Sequence, residues 1–159
     1  MSLIRGIDQV ISDKQYLVLP TQLYAPYNAI AIESWLKGNY PIPKQAPPLS
    51  WLAFSAGVVG AMGAIWLWQL QGGKIQNLIA FDGWGMPLGG DFPICRVSHD
   101  HFTHWSSAIL GGGKNGFYAD PPREHLELWR SPETCQGWQV MDCGLRFRHS
   151  LSDYLQERI

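Results

Sequence analysis

The sequence predicts an α/β fold built on a small, doubly wound, mostly parallel sheet. Leu49–Phe54 and Ile75–Phe81 are short runs without charge and almost wholly apolar, as strands covered on both faces require. Between them Ala56–Leu70 has the length and composition of a buried helix, which makes a strand, helix, strand unit. The same alternation continues into the second half of the chain, so successive strands are expected to be joined by right-handed crossovers.

In chain order, Gln15–Leu19 (QYLVL) is β-prone and stopped by Pro20, and reads as a first strand. Tyr27–Lys37 carries Ile30, Ile32, Trp35 and Leu36 at helical spacing and is closed by Gly38. Pro41, Pro43, Pro47 and Pro48 then leave little capacity for helix or central strand, so this stretch is a surface connection. After Ile75–Phe81 comes a loop, Asp82-Gly83-Trp84-Gly85, and a later strand is expected at the apolar stretch Ile94–Val97. His101–Leu110 reads as a helix, Gly111–Gly113 as a turn, Gly116–Tyr118 as a short strand and Leu145–Gln156 as a C-terminal helix. No internal repeat interrupts this order.

Composition bounds the function. A chain of 159 residues, 46% hydrophobic, supplies one core, so residues 1–159 are expected to form a single domain. The formal net charge of −1 offers no field to gather nucleic acid, which is not an expected partner. Cys95, Cys135 and Cys143 are odd in number and lack metal-ligand spacing, which fits reduced thiols in a cytoplasmic protein. Met1–Lys14 is broken by Arg5, Asp8, Asp13 and Lys14, unlike a secretory signal. From Gln45 to Gly73 no residue is charged, a length that would span a bilayer and so makes a membrane anchor an alternative. Pro47-Pro48, Ser55, Gly57, Gly60 and Gly63 instead divide that run into strand, turn and helix.

The chemistry centres on Ala53-Phe54-Ser55-Ala56-Gly57. A nucleophilic serine needs its hydroxyl presented on a strand-to-helix turn so tight that its neighbours must be small, and Ala53, Ala56 and Gly57 are small. That turn puts Ser55 at a helix N-terminus, where the Ala56 N–H would meet the oxyanion of a tetrahedral intermediate. Gly57, Gly60, Ala61 and Ala64 form a small-residue stripe that lets the helix approach the sheet closely. A rival site is His99-Asp100-His101-Phe102-Thr103-His104, dense in metal-ligand residue types. Thr103 stands where the HxHxDH pattern has its aspartate, and no second cluster completes a ligand set, so neither metal nor cofactor is expected.

Leu52–Asp82 (LAFSAGVVGAMGAIWLWQLQGGKIQNLIAFD) resembles the central segment of α/β-hydrolase thioesterases that release chains from peptide and polyketide synthetases. The resemblance extends diffusely over Gln15–Val140 and implies a minimal, lidless α/β-hydrolase core, since such enzymes are longer. It implies that Asp82, directly after the strand that follows the elbow helix, orients the catalytic histidine. By the Ser, acid, His order of that fold the histidine comes later, and His125, after the Asp120-Pro121-Pro122 turn, fits best. Asp100 as acid and His104 as base remain the alternative pair. The resemblance also points to Pro20-Thr21-Gln22-Leu23, and Gln22 in particular, for the second oxyanion donor.

The implied activity is hydrolysis of an acyl ester or thioester, free or carrier-bound, through an acyl-enzyme. Trp84, Trp105 and Trp129 would line an open site or serve as core or dimer contacts. A sheet edge left bare by missing strands favours a homodimer. The competing class is a non-catalytic binding module that keeps the hydrolase core.

Overall fold

Side chains that alternate along a buried strand must find apolar partners on both sides, and Ile75–Phe81 does so. The computed structural model of the protein describes residues 5–83, 85–111 and 115–159. Its elements are α1 (Arg5–Val10), α2 (Ala29–Asn39), β1 (Leu49–Phe54), α3 (Gly57–Leu70), β2 (Ile75–Phe81), β3 (Ile94–Ser98), α4 (His101–Ala108), β4 (Asn115–Ala119), α5 (Glu127–Arg130), β5 (Gln136–Val140), β6 (Arg146–Ser150) and α6 (Leu151–Gln156). Leu78 and Ala80 of β2 pack with Ala53, with Val58, Met62 and Ile65 of α3, and with Leu88 and Phe92 from the β2–β3 connection. Ile79 and Phe81 point the other way, into a second cluster with Val97, Phe117, Leu128, Leu151, Tyr154 and Leu155. The sheet is therefore covered on both faces, as its apolar strands require.

The six strands lie in sequential order, β1 to β4 parallel and β5 and β6 antiparallel. This differs from the doubly wound arrangement expected. A doubly wound sheet reverses its strand order part-way, whereas here each parallel crossover steps to the next neighbour in one direction. The second face is covered by α1, α5 and α6, whose Ile7, Val10, Leu128 and Leu151 join that cluster.

Two elements depart from expectation at the ends. Residues 15–19 form no strand, and Tyr16, Leu17 and Val18 are each 44% exposed. The expected C-terminal helix over Leu145–Gln156 is instead β6 followed by α6, with Ser150 capping α6 through the Asp153 N–H. The uncharged run is divided between β1 and α3, and no helix among the described residues is long and apolar enough to cross a membrane. Of the expected turn at Gly111–Gly113, Gly111 has φ 82°, while Gly112 and Gly113 lie outside the described residues.

The small-residue stripe of α3 has two partners rather than one. Ala61 faces the sheet, but a Cβ on Gly60 would sit 2.1 Å from the Pro26 carbonyl oxygen and 2.6 Å from Ile32, and one on Gly63 would sit 2.6 Å from Ala29. The glycines thus seat α2 and the loop before it against α3, and with them the segment that approaches the start of that helix.

Candidate active site

Strand β1 ends with Phe54 paired to Phe81 of β2, and the ladder runs one step further because Ser55 N–H donates to the Phe81 carbonyl at 2.8 Å. The Ser55 carbonyl then accepts from Val58 N–H at 3.0 Å, closing the first turn toward α3. Held between a sheet bond and a helix bond, Ser55 adopts φ 53°, a left-handed conformation that costs an L-residue about 1–2 kcal/mol. Its side chain is half-buried at the bend, and the Ala56 N–H belongs to the helix-start donors that no helical carbonyl can satisfy.

One strand over, the pattern repeats. Asp82 N–H donates to the Val97 carbonyl at 2.8 Å and Asp82 has φ 46°. Among the described residues, Ser55 and Asp82 are the only non-glycine residues with positive φ, and they terminate neighbouring parallel strands. The Asp82 side chain is 2% exposed, and both carboxylate oxygens are occupied. Oδ1 accepts the His99 backbone N–H at 3.0 Å, and Oδ2 lies 2.7 Å from His125 Nδ1.

His125 arrives from the loop after β4. Arg123 N–H donates to the His99 carbonyl at 2.9 Å, which pins that loop to the end of β3. The His125 ring then stacks on Phe54, the residue preceding Ser55, with centroids 4.6 Å apart. Trp129 supports Phe54 at 5.5 Å and meets Phe81 edge-on at 5.0 Å, so it acts as a half-buried core residue beneath the site. With Nδ1 engaged by the carboxylate, Nε2 is the nitrogen left to accept a proton, which is the tautomer that serine activation requires.

No protein-family model, curated protein or solved structure matches the chain.

The other expected residues lie as follows. Asp100 is the N-cap of α4 and accepts from Thr103 N–H, an arrangement that holds its carboxyl below the usual range despite the opposing cost of burial. His104 is 8% exposed, packed on Tyr118 and against Gly116, and burial pushes its pKa down to about 4. The structure brings His125, rather than His104, to Asp82. Gln22 is exposed in a turn closed by Leu23 N–H to the Pro20 carbonyl, and that turn does not follow a strand. Trp105 is 56% exposed on α4, and Trp84 lies outside the described residues.

In the sequence His99 belongs only to the compact histidine cluster. In the fold that cluster splits, with His101 and His104 turned to the Tyr118 ring and His99 turned to Asp82, its Nδ1 being 3.1 Å from Oδ1. The signal that would have found it is positional: His99 follows Ile94–Val97, at the same end of the sheet as Asp82.

Proposed function

We propose that the protein is a serine hydrolase that cleaves an acyl ester or thioester through Ser55, His125 and Asp82. The observation that carries this reading is the His125 to Asp82 contact of 2.7 Å, made by an imidazole stacked on the residue before a left-handed serine. Burial alone would not require it. Holding two adjacent strand-end residues at positive φ has a free-energy cost, and such strain collects where a side chain must be presented to a reactant. The run of strands from β1 to β4, with serine after the first, acid after the second and histidine after the fourth, supports a minimal α/β-hydrolase core.

In this mechanism Ser55 Oγ attacks the acyl carbonyl and His125 Nε2 takes its proton, then returns it to the departing alcohol or thiol. Asp82 stabilises the imidazolium and fixes its ring. The Ala56 N–H stabilises the oxyanion. Water then hydrolyses the acyl-enzyme. A fluorophosphonate probe should label the wild-type chain and fail to label Ser55→Ala or His125→Ala. A folded wild-type chain that resists the probe would leave the binding-module reading in its place.

A further inference from the structure

We infer that Asp82, His99 and His125 also form a divalent transition-metal site, and that a zinc-class ion occupying it switches the hydrolase off. One donor atom from each residue lies within 4.8 Å of the other two. Ligands on a tetrahedral zinc, about 2.1 Å from the ion, stand about 3.4 Å apart, so a modest inward turn of the rings closes the set. The rings have room for it, since the side chains of His125 and His99 are 43% and 28% exposed while Asp82 is fixed at 2%.

Three further features favour a cation here. His99 Nδ1 is a buried nitrogen without a hydrogen-bond partner, because its 3.1 Å approach to Asp82 Oδ1 lies off the direction in which it could donate. A metal gives that lone pair a use. Asp100 Oδ2, 3.5 Å from His99 Nε2, adds a second carboxylate beside the ring, on the side where a ligating histidine commonly finds its outer partner. The nearby Arg123 guanidinium is drawn away to the Thr134 carbonyl at 2.8 Å and toward Glu127. Two imidazoles and one carboxylate leave coordination positions open, the pattern of an exchangeable rather than a structural site. The ion would take the lone pairs that orient and activate the nucleophile, so metal binding and hydrolysis exclude each other. The inhibition rests on the serine-hydrolase reading, whereas the binding does not.

Cobalt titration of the Ser55→Ala chain tests the binding alone, since this variant keeps every ligand. The expected result is one equivalent of Co2+ with a tetrahedral-type visible absorption, displaced by Zn2+, and an X-ray absorption spectrum of the zinc form with two imidazoles. No visible band, or fewer than two imidazoles, overturns the proposal. In the wild-type chain, Zn2+ should slow fluorophosphonate labelling, each rate being taken relative to the same chain in chelator. Altering an outer-shell partner typically weakens metal binding about 10–100-fold, so removing a direct ligand in His99→Gln should raise the inhibitory Zn2+ concentration at least about tenfold. Equal inhibitory concentrations in the two chains overturn the assignment of His99. A chain that binds Co2+ as described but is never labelled retains the metal site and loses the hydrolase.

Discussion

Replacing Asp82 by asparagine separates an orienting carboxylate from a merely structural one. Both oxygens of Asp82 accept hydrogen bonds, Oδ1 from His99 N–H at 3.0 Å and Oδ2 from His125 at 2.7 Å, but an amide has one oxygen only. The backbone N–H of His99 cannot change its role, so the asparagine oxygen settles there and its NH2 faces His125. Nδ1 must then accept, the proton moves to Nε2, and the imidazole presents a donor to Ser55 where an acceptor is needed. Asparagine tolerates the left-handed backbone at this position, so the elbow and the fold should persist. Inverting the tautomer in this way is worth about 10⁴ in rate, or about 5.5 kcal/mol of transition-state stabilisation. The assay is the second-order rate of fluorophosphonate labelling together with turnover of short acyl p-nitrophenyl esters, and denaturant unfolding verifies the fold. A variant that reacts within tenfold of the wild type would show that Asp82 does not orient the base.

Three further outcomes follow from the geometry. Ser55→Gly should be more stable than Ser55→Ala by up to about 1 kcal/mol in urea unfolding, because glycine relieves the cost of φ 53° and gives back only part of it as backbone entropy; equal stabilities would remove the strain argument. Gly60→Ala should cost about 1–3 kcal/mol, since its Cβ would meet the Pro26 carbonyl at 2.1 Å and Ile32 at 2.6 Å, and a neutral result would mean that α2 does not seat tightly on α3. Burial keeps His104 neutral down to about pH 4, reinforced by the charges of His101, Arg96 and Arg146, whereas the unfolded chain protonates it near 6.5. The unfolded state therefore binds the extra proton first, stability falls as pH drops from 6.5 toward 4 by about 3 kcal/mol, and His104→Gln should flatten that slope in denaturation series.

The strands that position the site were legible because burial leaves its mark on composition. Leu49–Phe54 and Ile75–Phe81 match β1 and β2 residue for residue, and Asp82 and His125 meet as the family resemblance implied. The hairpin of β5 and β6 was not legible. Gly137 is the only fully buried residue of β5, and Arg146, Phe147 and Arg148 are exposed on β6, so neither strand shows the apolar alternation that marks one in sequence. Leu151, Tyr154 and Leu155 do carry a helical spacing, and extending it back to Leu145 hid the strand before it. Gln15–Leu19 failed for the opposite reason: an apolar run resembles a strand in sequence whether or not it pairs with the sheet, and these residues do not. His99 was obscured because its partner stands on another strand, and pairings across a sheet leave no trace in local spacing.

The main chain, not the side chains, fixes where nucleophile and acid stand, since Ser55 and Asp82 each sit one residue past a strand and are tied to the neighbouring strand by their own N–H. The sheet works as a ruler whose graduations are residues. Drift in the apolar side chains of β1 and β2 leaves the two endpoints where they are, but adding or removing a single residue within either strand turns its reactive group to the opposite face. Descendants of this chain can therefore exchange one apolar side chain for another along these strands while being held to their length.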